Sequence, residues 1–96
     1  MENIGSVIIE DFGQALNWLK DGKKVAREGW NGKGMFLYYV PANKYPASTK
    51  IGESIADTDG KVEYGAYIAM KTAQGNVVPW LASQTDVLAI DWIEVQ

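Results

Sequence analysis

The apolar positions near the start of the chain change period. Asn3 to Ile9 carries Ile4, Val7, Ile8 and Ile9 and reads as a first strand. From Phe12 the spacing becomes helical, with Phe12, Ala15, Leu16 and Leu19 at i, i+3, i+4 and i+7 on one face. Asp11 stands at the N-cap with Gln14 at capping-box spacing, and Asp21-Gly22 offers the left-handed residue that ends a helix. The pattern therefore predicts a helix over Phe12 to Lys20. A helix of about two and a half turns is marginal alone and must be held by packing on a sheet.

Beyond it the chain alternates and turns. Lys23 to Arg27 reads as a strand, and Gly34 to Val40 (GMFLYYV) is the segment richest in aromatic and branched residues, ended by Pro41. Residues 42 to 61 show little apolar periodicity and read as a long loop. Val62 to Met70 and Val77-Val78 form a hairpin that turns through Lys71 to Asn76. Ser83 and Asp86 repeat the capping-box spacing and open a short helical turn through Ala89, and Asp91 to Val95 closes as a strand. There is no internal repeat and no low-complexity tract. The fold expected is α+β: a small antiparallel sheet packed on one short N-terminal helix, with a short helical turn before the last strand.

Composition narrows the chemistry. Ninety-six residues make a single domain over 1–96. A chain of this size buries roughly 64% of its unfolded surface, so a monomer has a modest core. There are no cysteines and no histidines. Disulfides, Cys/His metal sites, a Ser-His-Asp triad and a histidine base are excluded, and no cofactor is expected. The net charge of −3 disfavours long duplex nucleic acid as a partner. The N-terminus lacks a basic region followed by an apolar run, and the apolar runs are too short to span a membrane, which points to a soluble, cytoplasmic chain.

Charge is unevenly spread. Lys20 to Lys50 holds seven basic and two acidic residues, +5, and the remainder carries two basic and ten acidic, −8. The segment is either a set of solvated strand ends or a cationic wall for a small anion.

Two segments carry candidate chemistry. Trp30-Asn31-Gly32-Lys33-Gly34-Met35 is a hairpin loop in its simplest reading, with Trp30 plugging the core. As a binding loop, its glycines admit an anion to the backbone, Lys33 adds charge, and Trp30 and Met35 offer a flat apolar surface to a base. Pro79 to Asp86 (PWLASQTD) is a capped corner in its simplest reading. As a binding segment it presents Trp80 with Ser83, Thr85 and Asp86 at a helix N-terminus, for ribose, phosphate or base edges. Asp86 is free for a ligand only if the cap does not take it up. Trp92 and Trp18 read as core. Asp57 and Asp59 sit in a loop setting, where acid–base catalysis has little support.

In its order of helix, GKKVAREGWNGKGM, strand and MKTAQGNVVPWLASQTDVLAIDW, the chain resembles the phage family called Thoeris anti-defense 2 from Phe12 to Trp92. Two motifs carry the resemblance: Arg27-x-x-Trp30-Asn31-Gly32-x-x-Met35, and Val78-Pro79-Trp80-x-x-Ser83-Gln84-x-Asp86-x-x-Ala89-x-Asp91-Trp92. The resemblance implies a non-enzymatic sponge that holds cyclic ADP-ribose isomers, the messengers of Thoeris immunity, without cleaving them. Some relatives also bind cyclic oligonucleotides of the CBASS system at a separate site. It further implies a homotetramer with ligand pockets between protomers. Trp30 and Trp80 would stack on adenine beside Met35, and Asn31, Ser83, Thr85 and Asp86 would meet ribose or phosphate. Two stacking contacts at about 1–3 kcal/mol each, with charge-assisted hydrogen bonds at about 1.5–3 kcal/mol each, reach the roughly −12 kcal/mol of a nanomolar complex. The competing classes are an enzyme that degrades the messenger through Asp57 or Asp59, and an interaction protein that uses Tyr38, Tyr39 and Tyr45.

Overall fold

In the computed structural model, residues 9–30 and 33–96 are described. The expected first strand, Asn3 to Ile9, lies outside them except for Ile9. Glu10 forms an antiparallel bridge with Trp92, its N–H and C=O bonding the Trp92 backbone at 2.8 and 2.9 Å.

Helix α1 spans Phe12–Lys20, as its spacing predicts. Asp11 Oδ1 accepts the Gln14 N–H at 2.9 Å. At the other end Gly22 (φ 84°) and Lys23 donate back to Leu19 and Trp18, which satisfies the carbonyls of the last turn.

Five antiparallel strands form the main sheet: β1 (Lys24–Arg27), β2 (Phe36–Val40), β5 (Tyr67–Lys71), β6 (Val77–Pro79) and β7 (Trp92–Val95), in the order β6-β5-β2-β1-β7. Register sets which side chains meet the helix. Val25 lies opposite Leu37, Leu37 opposite Met70 and Met70 opposite Val78, so these four share a face. On that face Ala15 and Leu19 of α1 close over Val25, Leu37 and Trp92, all at most 1% exposed. Trp18, half-buried, packs against this core, in keeping with its reading as a core residue.

Residues 42–61 are not a loop. They contain β3 (Asn43–Pro46) and α2 (Lys50–Ile55), and β4 (Lys61–Tyr64) pairs back on β3 in a separate two-stranded sheet. Three local devices shape this arm. Thr49 Oγ1 caps α2 by accepting the Gly52 N–H at 2.9 Å. Asp57 Oδ1 accepts the N–H groups of Asp59 and Lys61 at 2.9 and 3.0 Å, and Gly60 adopts φ 75°. The segment expected as one strand over Val62 to Met70 breaks at Gly65-Ala66, so β4 belongs to the arm and β5 to the main sheet. The arm draws the molecule out to 54 × 25 × 25 Å with a radius of gyration of 16.2 Å, against about 12.5 Å for a compact domain of this length.

The predicted hairpin of β5 and β6 forms. Thr72 and Asn76 close its turn, with the Thr72 N–H on the Asn76 carbonyl at 2.9 Å and Gly75 at φ 98°. Helix α3 (Gln84–Leu88) opens on the predicted capping box. The Asp86 N–H donates to Ser83 Oγ, and the Ser83 N–H returns to Asp86 Oδ2.

Candidate functional site

Trp92 organises the two motifs. It is fully buried, and three aromatic rings lean on it: Phe12 at 5.3 Å between centroids, Trp30 at 5.7 Å and Trp80 at 6.1 Å. Trp30 and Trp80 both meet it edge to face, at 76° and 85°. The tryptophans of the two motifs, from opposite halves of the sequence, thus flank one buried ring. Each stays half-buried, with part of its surface in the core boundary and part in solvent.

Backbone bonds fix each tryptophan. The Trp30 N–H donates to the Arg27 carbonyl at 3.1 Å in the turn that leaves β1, and the Trp80 N–H donates to the Ile68 carbonyl at 2.9 Å, continuing the β5–β6 ladder by one residue. The indole N–H of Trp92 donates to the Asp86 carbonyl at 2.9 Å, which fastens α3 over the ring. After the Gly-rich turn the chain enters β2 through Gly34, at φ 81°, whose carbonyl accepts the Lys71 ammonium at 3.1 Å.

The carboxylates here are strongly engaged. Arg27 Nε donates to Asp91 Oδ1 at 2.9 Å, and its Nη1 donates to Asp86 Oδ1 at 3.0 Å. Asp91 Oδ2 accepts the Gly29 N–H at 3.3 Å, and Asp86 Oδ2 accepts the Ser83 hydroxyl at 3.0 Å. Arg27 holds the Asp91 carboxyl below the ordinary carboxylate range, against a smaller opposing effect of burial. For Asp86, burial pushes the carboxyl up most strongly as a single influence, yet the bonds from Arg27 and Ser83 together outweigh it and hold the group below its ordinary value.

The expected ligand residues distribute as follows. Trp30 and Trp80 come together through Trp92. Met35 is half-buried at the entry to β2, and Lys33 is exposed on the turn before it. Asn31 lies outside the described residues. Ser83 and Thr85 are exposed at the start of α3. Asp86 is taken up by the cap and by Arg27, the alternative its position left open. The fork from Arg27 to Asp86 and Asp91 went unread in the sequence: its partners lie 59 and 64 residues away, beyond any local pattern.

Two concavities among the described residues lie elsewhere. One, of about 290 Å³, is lined by Val40, Tyr45, Pro46, Ser48, Tyr64 and Tyr67 where the arm joins the sheet. The other, about 410 Å³ and shallow, lies over the sheet face opposite α1, among Lys24, Phe36, Tyr38, Lys71 and Val77. Neither has a ligand residue of the two motifs in its wall. Among the described residues no helix is long and apolar enough to cross a membrane.

Residues 11–95 match the family described as Tad2-like, the Thoeris anti-defense 2-like domain. The chain is similar to "Thoeris anti-defense 2" of Bacillus phage SP01, with 41% identity over 81 residues that cover 84% of this chain and 89% of that protein. The family match takes in α1, the two tryptophan motifs and the sheet that joins them, and on these two matches the chain belongs to the Thoeris anti-defense 2 family.

Proposed function

We propose that this chain is a phage anti-defense protein that binds a cyclic ADP-ribose-type messenger of Thoeris immunity in the infected cell's cytoplasm and withholds it from its effector without cleaving it. The convergence of Trp30 and Trp80 on Trp92 is the observation that supports this reading most directly. Two indoles braced edge to face against a third ring are rigid surfaces for an adenine, and rigidity lowers the entropy cost of stacking. In this reading Met35 adds apolar surface and Lys33 a cationic group ahead of β2, and Asn31 adds a polar group by its place in the motif. Ser83 and Thr85 face ribose or phosphate at the α3 N-terminus. The Ser83 hydroxyl, which already donates to Asp86 and accepts its N–H, keeps one acceptor site. Asp86 contributes by holding Ser83 in place.

The partner in this reading is the chain itself, as a homotetramer. Leu81, Leu88 and Ile90 beside the motif residues are 90, 75 and 76% exposed, and Ile51 and Ile55 on α2 are 77 and 69% exposed. Large apolar side chains left this exposed are candidates for burial against a partner. A second copy over the 81–90 segment would cover Leu81, Leu88 and Ile90 and wall in the exposed faces of Trp30 and Trp80, which a single chain leaves open.

Degradation of the messenger is the competing reading, and its candidate groups fit poorly. Asp57 is held below its ordinary range, chiefly by the Lys61 N–H, and serves a turn, whereas a general acid needs a raised value. The test is to mix protein with cyclic ADP-ribose isomers or cyclic oligonucleotides, separate and denature the protein, and assay the released material by mass spectrometry. Intact ligand recovered from the protein is expected. Recovery of a cleaved product, or no depletion of ligand at all, overturns the proposal.

A further inference from the structure

Arg27 and Asp91 belong to the two motifs yet have no part in the ligand set above. Arg27 lies opposite Trp92 in the β1–β7 register, so both side chains leave the sheet on the same face. Its side chain is 21% exposed, and its two bonds end on carboxylates from the start of α3 and from the entry to β7. Each carboxylate carries the linkage further. Asp91 Oδ2 reaches the Gly29 N–H, one residue before Trp30, and the Asp91 carbonyl accepts the Glu28 N–H at 2.8 Å. Asp86 Oδ2 holds Ser83, and the Asp86 carbonyl holds the Trp92 indole. One planar guanidinium therefore joins residues 27–30 to residues 83–92 by bonds that need two donors in a fixed fork. An ammonium is a point charge and cannot reproduce that geometry.

We propose that Arg27 is a positioning residue: through its fork to Asp86 and Asp91 it sets the Trp30 turn against the Ser83–Asp86 corner, without touching ligand itself. The affinity it supports rests on the reading of those segments as a cyclic ADP-ribose site; the linkage between the segments does not. A simple ion pair at this exposure would contribute little and would tolerate lysine.

The experiment uses Arg27→Lys and Asp91→Asn in the full chain. Arg27→Lys keeps the charge and the stem, and Asp91→Asn keeps an oxygen for the Gly29 N–H. Three quantities are read: thermal melting, hydrogen exchange of the Trp92 indole N–H and the Gly29 amide by NMR, and affinity for a cyclic ADP-ribose isomer by titration. We expect both variants to stay folded with a small change in melting temperature. Exchange at the two N–H groups should rise about tenfold or more, and affinity should fall about ten- to a hundredfold, the loss that accompanies one charge-assisted hydrogen bond. Parent-like exchange in both variants overturns the proposal, and so does loss of affinity without faster exchange. Variants that melt below the assay temperature also overturn it, because Arg27 would then be a stability residue. A parent chain that binds no ligand removes the functional reading alone, and the exchange measurement still decides the linkage.

Discussion

Replacing Trp92 by phenylalanine probes the point where fold and site coincide. Phenylalanine keeps one ring and loses the other together with the indole N–H. The Asp86 carbonyl would then keep only the longer 3.3 Å bond from the Ala89 N–H, at a cost of about 1–2 kcal/mol. Phe12, Trp30 and Trp80 all lean on Trp92, and losing one such contact costs a further ~0.5–1.5 kcal/mol. With the apolar area left unfilled, the sum is about 2–4 kcal/mol, below the roughly 3–5 kcal/mol of a full truncation to alanine. A domain of this size has ~5–15 kcal/mol of total stability and loses roughly 4–8 °C of melting temperature per kcal/mol. The expected drop is therefore about 8–30 °C, measured by circular dichroism at one fixed protein concentration, because assembly makes the midpoint concentration-dependent. Ligand affinity, measured below the new midpoint, should also fall, since Trp30 and Trp80 lose their common support. A drop under about 4 °C would refute the assignment of Trp92 as the shared brace.

Trp80→Ala and, separately, Trp30→Ala should each weaken cyclic ADP-ribose binding by about 1–3 kcal/mol in a titration paired with a melting curve, whereas Trp18→Phe should leave affinity unchanged. Lys33→Ala should lower both affinity and its dependence on salt in titrations at several ionic strengths; an unchanged salt slope would show that Lys33 is an ordinary solvated charge. In light scattering the chain should run near four times its 10.6 kDa mass, and Leu88→Glu with Ile90→Glu should shift it toward the monomer; a parent chain that is monomeric at micromolar concentration would contradict the assembly. The folded carboxyls of Asp86 and Asp91 lie below their unfolded value of about 3.9, so the stability they add is present above that pH and is lost as pH falls through the folded values. With no histidine and no cysteine, melting temperature should stay flat between about pH 5.5 and 7 and decline only in acid; a midpoint that moves between pH 6 and 7 would contradict this.

Local chemistry made much of the fold legible. Phe12, Ala15, Leu16 and Leu19 announce α1 because helical neighbours recur within one turn, and Asp11 and Gly22 mark its ends because capping is a matter of adjacent backbone groups. Ser83 and Asp86 announce α3 for the same reason. The arm was not legible. NKYP has no apolar alternation and KIGESI is under two turns long, so neither segment states its structure alone. NKYP is ordered by pairing with β4 from across the arm, by the Asp57 turn and by Tyr45 meeting the edge of Tyr64 at 5.9 Å, and KIGESI by the Thr49 cap and by packing on β4.

The site divides along the same line. The sequence alone determined which residue types were present: two tryptophan-bearing motifs, small polar groups at a helix start, and no histidine or cysteine. Tertiary structure decided their employment. It set both indoles against Trp92 and gave Asp86 to Arg27 and the cap, leaving Ser83 and Thr85 exposed. A capping residue meets its partner three positions away, so the chain states that bond itself. Arg27 meets Asp86 and Asp91 only because β1 and β7 lie side by side in the sheet, and no local spacing encodes which strands become neighbours.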